Sequence, residues 1–171
     1  MHGIRLIRLP HEPSEEQKRA LQAVYAAAPD YCMRVIGHIP TVDEMGPHDL
    51  PPGKISEDDY LFGIYLRSEM IGCADLLRGY PDEKTVYLGL VLISERYQNR
   101  GLGVRACMEL EKVVLSWPEI SVIRGSVIRT NDIVLSFWKR MGAEDTGIRR
   151  PYQAGEVQSE SIIFEKKLVR L

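Results

Sequence analysis

Thr85-Val86-Tyr87-Leu88-Gly89-Leu90-Val91-Leu92-Ile93, followed by Ser94-Glu95-Arg96-Tyr97 and Gln98-Asn99-Arg100-Gly101-Leu102-Gly103, reads as a strand that runs into a glycine turn. Residues 85–93 are mostly apolar, the pattern of a central strand covered on both faces. Beyond the two glycines, Ala106, Leu110, Val113 and Trp117 recur at helical spacing, which predicts a helix from about 102 to 116. A strand, a glycine turn and a helix N-terminus in this order can hold an anion. The first helical turn has backbone N–H groups without internal acceptors, and the helix dipole adds partial positive charge there. Glycine lets the backbone approach a phosphate closely, so a diphosphate could bind without net positive protein charge. Arg96, Arg100 and Arg105 stand nearby. The same glycines also suit a plain tight connection between strand and helix. No Lys-Ser or Lys-Thr follows them, which excludes the phosphate loop of an NTPase, and the third glycine of a dinucleotide fingerprint is absent.

Working outward, Ile4 to Leu9 reads as a strand ended by Pro10. Ser14 and Gln17 form a capping box for a helix whose stripe is Leu21, Val24 and Ala28 and whose stop is Pro29. Residues 30–59 are irregular and proline-rich, with a short helix near Tyr31 to Ile36; so long a stretch fits a binding segment or a loop packed over one edge. Tyr60 to Arg67 and Met70 to Leu77 read as a hairpin turning at Ser68-Glu69. Ser121 to Arg129 reads as a further strand, and Asn131 as the cap of a helix that Gly142 ends after Met141. Segments near 144–149 and 159–169 complete the set. The order β-α-loop-β-β-β-α-β-α-β-β predicts an α/β fold (an α+β mixed sheet) filling one domain, residues 1–171.

Composition excludes several classes. With 22 Lys and Arg against 24 Asp and Glu, net charge is −2, which gives no field for nucleic acid. No run approaches the ~20 apolar residues of a membrane span, and the opening Met1-His2-Gly3-Ile4-Arg5 does not read as a signal peptide. Cys32, Cys73 and Cys107 show no paired spacing and read as small buried apolar residues in a reducing, cytoplasmic setting. No cysteine or carboxylate lies at metal-ligand spacing from a histidine, so no metal site is expected.

Gln98-Asn99-Arg100-Gly101-Leu102-Gly103 resembles the signature of the GNAT superfamily of acetyl-CoA-dependent N-acetyltransferases: Gln or Arg, two residues, Gly, one residue, then Gly or Ala, after a buried strand. Ile93 to Tyr97 also fits, although Glu95 stands where the family often has proline. Downstream, Asn131 and Phe137-Trp138-Lys139-Arg140-Met141-Gly142-Ala143 are similar to the family's second conserved segment, and the element order agrees along the whole chain. The resemblance implies a central, mostly antiparallel sheet, splayed at the cofactor site and flanked by helices. It implies that amides from Asn99 through Arg100, Gly101, Leu102 and Gly103 to Val104 cradle the pyrophosphate of acetyl-CoA next to Gln98. It further implies that Val91 and Ile93 pair with the pantetheine arm, and that Asn131 and Trp138 contact the cofactor from the other side. The acceptor would be a primary amine of a small molecule, with direct transfer in a ternary complex. Trp138 in place of a family tyrosine and Tyr87 in place of a family glutamate keep open the alternative of a non-catalytic acetyl-CoA-binding module, and in this fold the final strands often pair between subunits, which makes a homodimer possible.

Transfer to an amine needs a lone pair on nitrogen, a donor for the thioester oxygen and a fate for the thiolate. The family's architecture suggests the backbone N–H near Ile93 as that donor. Two positions depart from the family. Trp138 replaces a tyrosine placed near the thiolate, and indole is no ordinary acid; packing is the preferred role. Tyr87 stands where some members carry a glutamate base, and a tyrosine is a poor base at neutral pH. Asp75, Asp82, Glu83, His38 and His48 are other base candidates, as is a chain of water. Asp43, Glu44, Asp49, Glu57, Asp58 and Asp59 lie in or beside the expected acceptor region, where they favour a cationic acceptor or form an ordinary solvated surface.

Overall fold

Ser14 Oγ accepts the Gln17 N–H at 3.2 Å and Gln17 Oε1 accepts the Ser14 N–H at 2.8 Å, so the capping box starts α1 (Glu15–Ala26) as the sequence requires. The structure, a computed structural model, describes residues 3–171; Met1 and His2, part of the opening read for a leader, lie outside it. Pro29 does not merely stop α1. It occupies the first turn of a second helix, α2 (Pro29–Val35), where a missing N–H costs nothing. The rest of the irregular segment carries two short 3₁₀ turns, Val42–Met45 and Ser56–Asp58.

Strand β1 (Ile4–Leu9) begins a seven-stranded sheet. Strands β2 (Asp59–Leu66), β3 (Glu69–Arg78) and β4 (Thr85–Ile93) follow as an antiparallel meander. The β2–β3 turn falls at Arg67-Ser68, one residue before the expected position, with Arg67 in left-handed backbone at φ 56°. Helix α3 (Leu102–Leu115) crosses to β5 (Val122–Ile128), which lies parallel to β4. A 3₁₀ stretch, Arg129–Val134, leads into the short α4 (Leu135–Arg140). The closing hairpin of β6 (Glu144–Ala154) and β7 (Val157–Lys167) extends further than the sequence suggested. Sheet order is β1-β2-β3-β4-β5-β7-β6, every pairing antiparallel except β4–β5. Mixed α/β architecture is therefore correct.

Each face of the sheet has its own core. Leu102, Ala106, Leu110 and Val114 of α3 pack on Ile64, Leu76, Val86 and Ile93, with Val114 rather than Val113 on the fully buried stripe. Leu21 and Val24 of α1 pack with Cys73 and Leu92 on the opposite face. All three cysteines are buried, and burial pushes the thiols of Cys73 and Cys107 up to about 12. Among the described residues, no helix is long and apolar enough to cross a membrane.

Two expectations needed correction. The middle of β4 is not covered on both faces, since Gly89 is exposed and residues 87, 88, 90 and 91 are only half-buried. The cause is a bulge. Asp75 pairs with Leu90 and Leu76 with Leu88, so Gly89 is an extra residue in β4 and its apolar neighbours change phase around it. Asn131 does not cap a helix either. It lies inside the 3₁₀ stretch with non-helical dihedrals (φ −117°, ψ 32°), buried and without a capping bond.

Candidate active site

Strands β4 and β5 pair only from Thr85–Val122 to Leu88–Gly125. Beyond that point β4 continues along β3 to Ile93 while β5 follows β7 to Ile128, leaving a wedge between two parallel strands. Which groups face the wedge follows from the β3–β4 ladder. Ser94 N–H donates to Ile71 O at 2.8 Å, and hydrogen-bonded pairs alternate in an antiparallel ladder. Leu92 and Leu90 thus turn their amides to β3, while Val91 and Ile93 turn theirs to the wedge. The Ile93 carbonyl also points away from β3 and accepts a bond from Gln98 Nε2 at 2.8 Å.

The same glutamine fixes the turn that follows. Asn99 and Gly101 adopt left-handed backbone, φ 57° and 74°, and Gly101 is the N-cap of α3. The first helical bond runs from Arg105 N–H to Gly101 O at 3.2 Å, so the amides of Gly101, Leu102, Gly103 and Val104 precede any helical acceptor. No heavy atom lies within 4 Å of a Cβ built on Gly101, and the nearest to one on Gly103 is Phe137 at 3.8 Å. The turn is an open cradle rather than a packed connection. Of the three arginines expected to help, Arg96 is held by Glu69, whereas no carboxylate among the described residues pairs with Arg100 or Arg105. Glu95, the departure from the family pattern, accepts the Asp30 N–H at 2.9 Å in the first turn of α2 and so anchors the motif to that helix.

A cavity of about 520 Å³ opens on the α1 and α2 face of the sheet. Its floor is a register row, Asp59–Leu77–Tyr87–Arg124, running from β2 to β5, with Asp75 two residues from Leu77. Asp59 is buried. Its Oδ2 receives His11 Nδ1 at 3.0 Å and lies 3.9 Å from His48 Nε2, while Oδ1 has no partner among the described residues. A carboxylate oxygen of Asp75 lies within 4.8 Å of one of Asp59, and Asp75 Oδ2 stands 4.0 Å from His48 Nε2. Burial, and next the negative charge of Asp59, push the Asp75 carboxyl up to about 8. Ligand atoms of His48, Asp59 and Asp75 lie within 4.8 Å of one another, a grouping that sequence spacing did not reveal and that suits a protonated amine as well as a metal cation.

The other base candidates lie apart from this group. Asp82 caps its own turn, accepting from Lys84 N–H at 2.9 Å and Thr85 Oγ1 at 3.0 Å, and Glu83 is exposed beside it. His38 bonds Glu44 at 2.9 Å. Of the six carboxylates assigned to the acceptor region, Asp49 and Asp59 line the cavity; Glu44 and Asp58 are bound to His38 and Lys54. Tyr87 does face the cavity, edge-on to Tyr80. Trp138 stacks on Phe164, ring centroids 5.4 Å apart, in a small core with Val127 and Ala143. Sequence reading missed His11 altogether, as well as Arg124 and Arg150 on the cavity wall. Arg124, a charge in the middle of a short strand, was the one visible signal.

The sequence matches the model of the acetyltransferase (GNAT) family over residues 18–143. Among solved structures, an acetyltransferase from Thermus thermophilus superposes with a TM-score of 0.72 at 24% identity, covering 98% of this chain and 100% of that one. The ribosomal-protein-S18-alanine N-acetyltransferase from Escherichia coli gives 0.66 at 14% identity, covering 98% of this chain and 96% of that one. The PaiA N-acetyltransferase from Thermoplasma acidophilum, in complex with coenzyme A, gives 0.62 at 16%, covering 97% and 99%. No curated protein sequence matches significantly. With the family model matching most of the chain, and with a glycine cradle beside a splayed parallel pair, the protein belongs to the GNAT family of acetyltransferases.

Proposed function

We propose that the protein moves an acetyl group from acetyl-CoA to the primary amine of a small molecule by direct transfer in a ternary complex. One observation carries this reading: the Asp75 carboxyl reaches the cavity where β4 and β5 part. A Cβ on Gly89, the residue just past the last β4–β5 pair, would stand 3.5 Å from Asp75 Oδ2. The Asp75 carboxyl and the opening of the wedge are therefore neighbours.

The residues fit the donor. Amides from Asn99 to Val104 would take the diphosphate, with Arg100 free to pair with it. Val91 and Ile93 would hydrogen-bond the pantetheine arm along the wedge, and Asn131 and Trp138 would border it on the β5 side. Acetyl-CoA supplies the activated acyl group. The Ile93 N–H would donate to the carbonyl oxygen as negative charge grows there. Asp75 would take the proton from the bound ammonium and release it to water through the open cavity. The freed lone pair forms the C–N bond as the C–S bond breaks, and the nitrogen's second proton goes to the departing sulfur. Tyr87 would border the acceptor as a hydrogen-bonding wall. The base's part falls instead to Asp75, which reaches the same cavity from the next strand.

Thiol release from acetyl-CoA in the presence of a panel of primary amines tests the reading. Amine-dependent release that Asp75→Asn abolishes is the expected result; cofactor binding with no release for any amine would contradict it.

A further inference from the structure

The cavity has two ends of opposite charge. At the β2–β3 end are Asp59, Asp75 and His48. At the β5–β6 end are Arg124 and Arg150, with Ile148 and Ile163 lining the same cavity. Arg124 is held in place by Glu165, which accepts from its Nε at 2.8 Å and its Nη2 at 2.5 Å; no hydrogen bond joins its Nη1 to another described residue. Arg150 is exposed, and its only hydrogen bond among the described residues is a long one, 3.4 Å, to the carbonyl of Arg149. By contrast the adjacent Arg149, on the other face of β6, is paired with Asp145 and Glu160. One arginine is braced and one is free, and both face the same cavity as the carboxylates.

We propose that the acceptor is an amino carboxylate, its ammonium group held by Asp59 and Asp75 and its carboxylate by Arg124 and Arg150. This rests on the acetyl-transfer reading above and narrows it. Charge decides against a polycation: a polyamine that placed one ammonium at Asp75 would bring another toward two guanidinium groups. Spacing agrees with a short zwitterion. The backbones of β3 and β5 are two strand spacings apart, about 10 Å. Arg124 and Asp75 line the same cavity across that span, and Arg150 stands on β6, two strands further along the sheet. A guanidinium fork also matches a carboxylate in geometry, which a lysine would not.

Matched acceptors test this on the whole chain. β-Alanine is compared with propylamine, 4-aminobutyrate with butylamine, and lysine with cadaverine, by thiol release from acetyl-CoA. In each pair kcat/KM is expected to favour the carboxylate by about 10- to 150-fold, the range for a hydrogen bond to a charged group. Arg150→Gln should collapse that ratio, mainly through KM; the site is exposed, so the variant should fold. Calorimetric binding of the same pairs to the protein saturated with CoA reads the preference without turnover. Equal or better use of the plain amines, or a ratio that survives both Arg150→Gln and Arg124→Gln, overturns the inference while leaving amine acetylation intact. Absence of release with every acceptor counts against the acetyl-transfer reading instead, and the calorimetric ratio then decides this one.

Discussion

Asp75 and Asp59 stand on neighbouring strands with carboxylate oxygens within 4.8 Å of each other, and His48 Nε2 lies 3.9 Å from Asp59 and 4.0 Å from Asp75. Burial disfavours the charged form of Asp75 and the nearby negative charge of Asp59 adds to this, so the folded protein holds a proton on Asp75 to about pH 8.

Acetyl transfer should therefore depend on Asp75. Replacing it with Asn is expected to lower kcat by about 10²–10⁴-fold, the usual worth of a positioned base, while acetyl-CoA still binds. In the parent protein the acidic limb of the kcat/KM profile should rise with pH as the carboxylate form appears, levelling off above about 8. A profile unchanged in Asp75→Asn would remove it from the mechanism.

The same group makes stability pH-dependent, and the sign is fixed. Below about pH 4 the carboxyl is protonated in both folded and unfolded chains. From about 4 to about 8 the unfolded chain has released the proton that the folded chain keeps, so stability falls as pH rises through this window. Asp75→Asn should lack that fall. Its melting temperature relative to the parent should climb between pH 5 and pH 8.5, and a constant difference would show that the shift is not there.

Trp138 separates packing from chemistry. Its stacking on Phe164 within the Val127–Ala143 core gives it a structural role. Trp138 is half-buried, so Trp138→Ala should cost less in urea unfolding than the about 3–5 kcal/mol of a fully buried tryptophan. Trp138→Phe should keep most of the ring contact and most of the turnover. Loss of turnover in a stably folded Trp138→Phe would instead assign the indole a part in catalysis.

How much was legible in the sequence depended on whether neighbours along the chain were also neighbours in space. The glycine turn, the capping box at Ser14 and the strand at 85–93 are local, and their signals survived folding. The bulge at Gly89 was not legible, because an extra residue in one strand is defined only by its partner, here Asp75 and Leu76. The acidic end of the cavity was hidden for a similar reason. His11, His48, Asp59 and Asp75 come from four separate segments, and only the β2–β3 pairing brings the two aspartates together. Asn131 was misread in role rather than place: asparagine is a frequent helix cap, but here the chain tightens into a 3₁₀ stretch around it and leaves no helix start to cap.

Cofactor binding by the open glycine turn is read out by thermal unfolding with and without acetyl-CoA, in the parent and in Gly101→Glu. Gly101 has φ 74° and empty space around it, so the substitution adds strain of about 1–2 kcal/mol and places a carboxylate in the cradle without filling the core. At 100 times its Kd the ligand should stabilise the parent by about 2.7 kcal/mol, a rise of roughly 5–10 °C for a chain of this size. The expected result is that rise in the parent and its absence in a folded Gly101→Glu; no shift in the parent at millimolar acetyl-CoA, or the same shift in both, would rule out cofactor binding at the turn.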